Sequence, residues 1–282
     1  MTNTVLITGC SSGLGKTTAR HFATQGWNVI ATMRKPDQSL AAGHADQMLV
    51  LPLDVTDPAS IEAAIAAGIE RFGHINAVVN NAGISVVSIF EATAKETIRG
   101  IFETNVFGMM NVMQAAIPHL RDQGGGTIIN ITSGVGLAAV PLLALYTATK
   151  HAVEGLSESL SYELESQNIL VKLVEPGAMR TTSFTSNTMT ASEAVSVPAT
   201  YKPYFYHMMQ SMMNYPFPDA DEQRVVATIF AAATDPSHRL RYLAGPDTEE
   251  MARLRWSTSE DEYLSTMNRL MGQTAWRDGN AS

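Results

Sequence analysis

Short apolar segments alternate along the chain with longer segments in which apolar residues recur at helical spacing. The early apolar segments are continuous, which is typical of strands buried on both faces of a parallel sheet. We predict strands at Thr4–Thr8, Asn28–Met33, Gln47–Leu53, Asn76–Asn80, Gly126–Thr132, Ile169–Val174 and Leu240–Ala244, and helices at Leu14–Gln25, Ala59–Phe72, Glu96–Arg121 and Tyr146–Gln167. This alternation predicts a single α/β domain whose parallel sheet is flanked by helices on both sides.

Two segments depart from the alternation. Residues 178–218 are rich in Thr, Ser, Met, Tyr and Pro, and an insertion of this length in a compact fold is usually functional or mobile. Residues 246–282 form a C-terminal tail whose charged part, Glu249–Arg277, predicts one or two helices and shows no readable chemistry. We therefore expect one domain over residues 1–282, with a lid at 178–218 and a tail at 246–282.

The composition narrows the class of protein. Hydrophobic residues make up 45% of the 282 residues, so a large core is available, and the net charge of −8 argues against nucleic acid or an anionic membrane as the partner. The single cysteine, Cys10, excludes an internal disulfide framework and a cysteine-rich metal site, and the histidines show no ligand spacing. Neither a leader pattern nor an apolar run of about 18 residues is present, so we expect a cytoplasmic protein without a membrane partner or a metal.

A glycine-rich turn joins the first strand to the first helix. It contains Gly9, Ser11, Ser12, Gly13, Leu14 and Gly15. Glycines let backbone amides approach a pyrophosphate, and the helix N-terminus adds partial positive charge, so the turn predicts a nucleotide site. A tight turn without a ligand is the simpler alternative. A phosphate-loop NTPase is disfavoured, because Gly15-Lys16-Thr17 lacks the glycine that this class requires at the position of Cys10.

The end of the second strand bears on the choice of cofactor. A carboxylate is usual near this point in NAD sites, yet no acid occurs from Asn28 to Pro36. Arg34 and Lys35 stand there instead, and a guanidinium can hold a 2′-phosphate with two hydrogen bonds. The pair favours NADP(H) over NAD(H), although two solvated surface cations are the alternative interpretation.

Tyr146 and Lys150 open the last long helix four residues apart, on one helix face. A nearby ammonium stabilises a phenolate, so we expect Lys150 to lower the pKa of Tyr146 and make it usable as an acid or base. Taken alone, this spacing is common on helix surfaces.

Taken together, the motifs resemble those of the short-chain dehydrogenase/reductase family, whose fold is a Rossmann-type doubly wound parallel sheet. Thr8–Gly15 is similar to the family's T-G-x-x-x-G-x-G turn, Asn80–Gly83 to its N-N-A-G strand end and Pro176–Thr181 to its P-G-x-x-x-T element. Ser133 lies 13 residues before Tyr146, as the family's catalytic serine does, and Asn105 resembles its catalytic asparagine. The resemblance covers about Thr4 to Gly245.

The resemblance implies a role for each matching residue. The catalytic residues would be Asn105, Ser133, Tyr146 and Lys150, with Tyr146 as general acid/base and Asn105 supporting a water-linked proton relay to Lys150. Cofactor-binding residues would be Gly9, Ser11, Ser12, Gly13, Leu14, Gly15, Arg34, Asp54, Val55, Asn80, Ala82, Gly83, Tyr146, Lys150, Val174, Pro176, Gly177 and Thr181.

We therefore expect an NADP(H)-dependent oxidoreductase that moves hydride between nicotinamide and a carbonyl or secondary alcohol. The lid offers Phe184, Met189, Tyr201, Tyr204, Phe205, Tyr206, Met208, Met209, Met212 and Met213, with Leu137, Val140 and Leu142 as an opposite wall, which predicts a hydrophobic substrate. The alternative is that these side chains pack against the protein's own core or a partner subunit. Other open alternatives are an NAD-dependent alcohol or hydroxysteroid dehydrogenase, an epimerase or dehydratase, and a non-catalytic cofactor-binding regulator. A homodimer or homotetramer is expected.

Overall fold

A seven-stranded, wholly parallel sheet forms the centre of the computed structural model, which describes residues 2–193 and 195–279. Its strands are β1 (Thr4–Ile7), β2 (Asn28–Met33), β3 (Met48–Pro52), β4 (Ala77–Asn80), β5 (Gly126–Ile131), β6 (Ile169–Pro176) and β7 (Arg241–Ala244). Each lies within two residues of its predicted bounds. The spatial order is β3-β2-β1-β4-β5-β6-β7, so the predicted doubly wound α/β fold is confirmed.

The strand order reverses between β1 and β4. Val5, Leu6 and Ile7 of β1 pair with Val29, Ile30 and Ala31 on one side and with β4 on the other. In open parallel sheets, ligands bind in the crevice outside the carboxyl ends of the strands at such a reversal. The glycine turn follows β1 directly and therefore lies at this crevice.

Helices cover both faces of the sheet. The helices are α1 (Gly13–Thr24), α2 (Pro58–Phe72), α3 (Lys95–Phe102), α4 (Gly108–Asp122), α5 (Ala144–Glu165), α6 (Ser183–Glu193), α7 (Lys202–Met213), α8 (Glu222–Thr234), α9 (Pro246–Ser257), α10 (Glu260–Leu270) and α11 (Gln273–Gly279). Helices α1 and α8 pack on one face through Phe22 and Ile229, and α2, α4 and α5 pack on the other through Ile65, Leu120 and Val153. The continuous apolar character of the strands follows from this double cover.

The predicted helix over Glu96–Arg121 is interrupted. Helix α3 gives way to a π-helical turn at Glu103–Phe107 before α4 begins at Gly108. Two close contacts accompany the turn: Asn105 bonds the backbone of Ile84, and a Cβ on Gly108 would overlap Val55. Local side-chain periodicity does not show such long-range contacts, and single π-helical turns are frequent at functional sites.

The lid and the tail pack together beside the sheet. Within residues 178–193 and 195–218 the chain forms α6 and α7, and residues 246–279 form three helices, α9, α10 and α11, rather than the predicted one or two. Met208 of α7 is buried among lid residues that also contact Trp276 of α11, while Met251, Tyr263 and Met267 pack the tail against Ala138. Within residues 2–193 and 195–279, none of the helices is long and apolar enough to cross a membrane.

Candidate active site

A cavity of about 580 Å³ opens at the carboxyl ends of the strands. It brings together most of the residues that the sequence singles out: Gly9, Ser11, Ser12, Gly13, Leu14, Gly15, Arg34, Asp54, Val55, Ala82, Gly83, Ser133, Tyr146, Lys150, Pro176 and Gly177. Asn80, Asn105, Val174 and Thr181 are not among its lining residues. The same cavity continues under the lid and the tail, so a cofactor and a substrate have adjoining space.

The glycine turn leaves the N-terminus of α1 open to the cavity. Ser12 is the N-cap residue, yet its side chain makes no capping hydrogen bond, and the first turn of α1 contains no acid. Gly9 has a φ of +74°, and a Cβ on Gly15 would overlap the carbonyl of Gly9, so the turn requires both glycines. Uncapped N–H groups and the helix dipole together suit a pyrophosphate, which is the group that the motif predicts here.

Arg34 and Asp54 lie near each other on the cavity lining. Backbone and side-chain hydrogen bonds from Thr56 hold the pKa of Asp54 below its ordinary value, and Arg34 adds to this effect through its charge. Arg34 itself is exposed and makes no ion pair or hydrogen bond with any residue that the structure describes. Its guanidinium is therefore available to an anionic ligand.

Asn81, rather than its neighbour Asn80, lines the cavity where the sequence predicts a cofactor-binding asparagine. The Asn80 amide is buried and donates to Asn130 Oδ1 at 2.9 Å, within the sheet. The Asn81 amide lines the cavity and donates to the carbonyl of Thr8 at 2.8 Å, which ties the strand end to the glycine turn. Sequence alone cannot separate the two asparagines, because the side chain that reaches the turn depends on where β4 ends.

Ser133, Tyr146 and Lys150 converge on the cavity from two elements. Ser133 follows β5, and its hydroxyl bonds the phenol of Tyr146, which α5 carries. Lys150 follows one turn later, with Nζ 5.5 Å from the centre of the Tyr146 ring. Its ammonium donates to the carbonyl of Ile131 at 2.8 Å, at the end of β5.

Burial dominates the ionisation of these groups. It raises the pKa of Tyr146 well above its ordinary value, and the hydrogen bond from Ser133 offsets only part of the rise. Burial also lowers the pKa of Lys150 to about 8, against an opposing effect of the Glu154 charge. The prediction that Lys150 lowers the pKa of Tyr146 is therefore wrong for this structure. Tyr146 is a neutral phenol at neutral pH, which is the form that donates a proton.

Asn105 supports the site from the π-helical turn. Its side chain accepts from Ile84 N at 2.8 Å and donates to Ile84 O at 2.8 Å, which holds the segment after Gly83. It also donates to Thr149 Oγ1 at 3.1 Å, on the helix of Tyr146 and Lys150. These bonds make Asn105 a positioning residue. The relay to Lys150 that the resemblance implies stays a prediction.

The lid and the tail supply an apolar wall to the same cavity. Its lining residues there include Phe184, Met179, Met189, Met209, Met212, Met213, Met251 and Met271. Tyr201, Tyr204, Phe205 and Met208 pack within the lid, and Tyr206 is exposed. On the opposite wall Val140 lines the cavity, while Leu137 and Leu142 are buried beside it. Part of the apolar lid therefore packs against the protein itself.

Asp247 is a site residue that the sequence interpretation missed. It lies at the start of α9, is buried, and accepts from the backbone N–H of Ala178 at 2.8 Å. A Cβ on Gly177 would overlap Asp247 Oδ1, so the tail packs directly beneath the Pro176–Thr181 segment. In the sequence, Asp247 closely follows a predicted strand and Gly245, at the end of the segment that resembles the family. This order of residues does not by itself indicate a binding or catalytic role.

Neither the single cysteine nor a metal site adds chemistry to the part of the chain that the structure describes. Burial raises the pKa of the Cys10 thiol to about 12, so it remains a protonated packing residue inside the glycine turn. No group of three or more potential metal ligands occurs among residues 2–193 and 195–279.

Together, the doubly wound sheet, the open helix N-terminus and the serine–tyrosine–lysine cluster define a nucleotide-dependent enzyme of the oxidoreductase class. The short chain dehydrogenase family profile matches residues 3–192. The chain belongs to the short-chain dehydrogenase/reductase family.

Individual relatives agree with this membership. An uncharacterised oxidoreductase of Schizosaccharomyces pombe is 35% identical over 241 residues, which cover 85% of this chain and 100% of the relative. A 3-ketodihydrosphingosine reductase of Bacteroides thetaiotaomicron is 38% identical over 183 residues, covering 65% of this chain and 66% of that protein.

Solved structures show the same fold. A short-chain dehydrogenase from Streptomyces avermitilis superposes with a TM-score of 0.79 at 29% identity, covering 99% of this chain and 98% of the other. The enzyme ElxO with NADP bound superposes with a TM-score of 0.72 at 26% identity, covering 86% of this chain and 98% of the other. The protein is an oxidoreductase of the short-chain dehydrogenase kind that uses a nicotinamide cofactor.

Proposed function

We propose that the protein is an NADPH-dependent reductase of a carbonyl group on a bulky hydrophobic substrate. The observation that carries the proposal is one continuous cavity: Ser133, Tyr146 and Lys150 lie between an open helix N-terminus and a wall of methionine side chains. The two ends fit different chemistry. The glycine turn suits a pyrophosphate, and the methionine wall suits an apolar body.

In the proposed reaction, side chains of this protein hold and donate the proton. The nicotinamide supplies the hydride when the cofactor is bound. Tyr146 is a protonated phenol at neutral pH, burial raises its pKa further, and it donates its proton to the substrate oxygen. Ser133, bonded to the same phenol, orients the oxygen, and the Lys150 ammonium keeps a positive charge beside the ring. A protonated phenol is the form from which carbonyl reduction starts.

The choice of NADPH rests on Arg34. Its guanidinium lies on the cavity lining, free of hydrogen bonds to the described residues, where an NAD site would place a carboxylate. An arginine there can hold a 2′-phosphate with two parallel hydrogen bonds.

The substrate class rests on the apolar wall. Of the charged lining residues near the lid, Arg180 binds Asp219 and backbone carbonyls, while Asp247 binds the Ala178 amide. A charged substrate would therefore meet few available partners, and burying it there would be costly. Methionine side chains adapt to irregular apolar shapes, which suits a bulky ketone. The Bacteroides relative is named as a reductase of a 3-keto compound, which supports the direction of the proposal.

The first test measures cofactor preference. The wild type should show a higher kcat/KM with NADPH than with NADH, and Arg34→Asp should erase or invert that preference. Arg99→Asp, the same charge change at an exposed position of α3, is the control and should leave the preference unchanged. Equal use of both cofactors by the wild type would contradict the assignment.

The substrate class is tested with matched ketones of increasing apolar size beside small polar ketones, followed by NADPH absorbance. We expect kcat/KM to rise with apolar size. Faster turnover of the polar series would overturn the apolar-substrate proposal. Oxidation of alcohols or hydroxysteroids with NAD in preference to any reduction would instead identify an NAD-dependent dehydrogenase. Tight NADPH binding without turnover of any carbonyl would favour a regulator.

A further inference from the structure

A cluster of two buried glutamates and one half-buried arginine lies behind the catalytic residues. Glu154 is on α5, one turn beyond Lys150; Glu175 is the residue before Pro176 on β6; and Arg241 begins β7. Glu154 and Glu175 are 6% and 0% exposed. We call these three residues the acid–arginine cluster. The mechanism given above uses none of them.

Glu154 contacts three different elements. Its Oε1 accepts from Thr132 Oγ1 at 2.7 Å, and Thr132 immediately precedes Ser133. Its Oε2 accepts from Arg241 Nε at 3.1 Å. A Cβ on Gly136 would lie 3.1 Å from its Cγ and 3.5 Å from Lys150 Cβ, so the side chains of Glu154 and Lys150 face the segment after Ser133. One carboxylate therefore connects the end of β5, the lysine-bearing helix and β7.

Arg241 extends these contacts to the segment that precedes Gly177. Its Nε lies 3.6 Å from Glu175 Oε1, whose carboxyl forms no hydrogen bond with the described residues. The shorter distance to Glu154 indicates that Arg241 pairs with Glu154, while Glu175 remains protonated in its buried position. Burial and the nearby Glu154 charge raise the pKa of Glu175 to about 8, which agrees with this assignment.

Stability alone does not account for such a cluster. A buried ion pair is costly to desolvate, and apolar residues of the same volume often stabilise a fold equally well. The cluster instead fixes the relative positions of the segments that it joins, because each hydrogen bond has a preferred geometry. Its three residues adjoin the segments that carry Ser133, Lys150 and Gly177, and sub-ångström placement of such groups matters for rate.

We propose that Glu154 is a positioning residue, which holds the strand end of Ser133, the helix of Lys150 and the segment of Gly177 in their working arrangement and places a negative charge beside Lys150. The titratable groups around it are Lys150 on α5, Glu175 on β6 and Arg241 on β7; Glu158 of α5 also faces Arg241, and Arg239, just before β7, faces Glu175. Of these, Lys150 is the group whose titration matters, because its ammonium stands beside the Tyr146 ring. The proposal rests on the roles given to these residues under the proposed function.

The test compares Glu154→Gln with Glu158→Gln. Both residues bind Arg241, but Glu158 does so from the exposed side, at 2.6 Å from Nη2, which makes it a matched control. Glu154→Gln keeps the side-chain shape and removes the charge that opposes the lowering of the Lys150 pKa. We expect kcat to fall roughly tenfold with little change in KM for NADPH. We also expect the loss of activity on the alkaline side to begin at least about half a pH unit lower.

A second readout does not depend on turnover. Binding of NADPH, or of NADH if that binds more tightly, is followed by fluorescence titration across pH. Glu154→Gln should weaken binding at a lower pH than the wild type, and Glu158→Gln should match the wild type. Failure of every ketone to react would count against the proposed function while leaving this titration decisive. Identical pH profiles in Glu154→Gln and the wild type, or equal shifts in both variants, would overturn the inference.

Thr132→Val covers the case in which Glu154→Gln does not fold. It removes the hydroxyl that bonds Glu154 and leaves the charge beside Lys150 in place. We expect kcat to fall several-fold while the pH profile stays that of the wild type. An unchanged kcat in a folded Thr132→Val, checked by its thermal unfolding midpoint, would contradict the positioning role.

Discussion

At the scale of single residues, the ionisation of the candidate catalytic side chains depends more on burial than on their neighbours along the helix. Lys150 is one helical turn from Tyr146, yet its ammonium donates a hydrogen bond to the Ile131 carbonyl. Towards Tyr146, the ammonium lies 5.5 Å from the centre of the aromatic ring. The buried phenol keeps its proton, and the buried lysine has a pKa of about 8. Tyr146 therefore carries the proton that the proposed role of general acid requires.

Tyr146→Phe tests this role. Phenylalanine keeps the ring and its packing but removes the proton donor, so kcat for ketone reduction should fall at least roughly 100-fold. Cofactor affinity, measured by fluorescence titration, should stay close to that of the wild type. Tyr162→Phe is the matched control, because Tyr162 is on the same helix and 74% exposed. Retention of about a tenth of the wild-type kcat (roughly 1.4 kcal/mol of barrier) would show that another group is the acid.

At the scale of elements, the lid is fastened where it leaves and rejoins the fold. Arg180, shortly after β6, binds Asp219 Oδ1 through Nε at 2.5 Å, and its two other nitrogens donate to the carbonyls of Met213 and Phe217. One guanidinium thus closes the segment that contains α6 and α7. The arrangement holds the methionine wall over the cavity.

Arg180→Lys should loosen the lid. An ammonium keeps the charge but cannot make three bonds in a planar fork. We expect KM for an apolar ketone to rise roughly fivefold, or about 1 kcal/mol, because the pair is partly exposed. Proteolytic cleavage within residues 184–218 should become faster. Arg253→Lys, which alters an exposed arginine–glutamate pair outside the site, is the control. Unchanged KM and cleavage rate in Arg180→Lys would show that other contacts hold the lid.

At the scale of the whole molecule, the sheet buries an acid whose protonation is linked to folding. Glu175 has no exposed surface, and its pKa is raised to about 8 in the folded protein. The unfolded chain releases this proton at much lower pH. The stabilisation from the bound proton is therefore complete at acidic pH and is lost as the pH rises toward about 8.

Glu175→Gln should remove this pH dependence. Between pH 5 and pH 8 the wild type should lose more unfolding free energy than the variant, by on the order of a few kcal/mol. Denaturant unfolding at several pH values measures the difference in slope, whatever the offset between the two proteins. Glu62→Gln, an exposed position on α2, should follow the wild type. Parallel pH profiles for Glu175→Gln and the wild type would show that Glu175 is already ionised in the fold.

Much of the architecture could be predicted from the sequence, because strands, helices and turns depend on the pattern of residues close together in the chain. Continuous apolar segments predict strands that are buried on both faces, and the spacing of the glycines predicts a turn between β1 and α1. The same patterns could not show that α3 and α4 are separated at Asn105. That break accompanies hydrogen bonds to Ile84 and Thr149, which are 21 and 44 residues away.

What the sequence by itself determined is the class of fold, the family and the chemical types of the candidate site residues, since residue identity and short spacing carry that information. Tertiary structure decided which side chains reach the cavity and how burial shifts their pKa values there. Asn81 rather than Asn80 lines the cavity, Asp247 reaches it from the tail, and burial raises the pKa of the Tyr146 phenol. The physical reason is that burial and long-range contacts depend on residues far apart in the chain, which no local pattern contains.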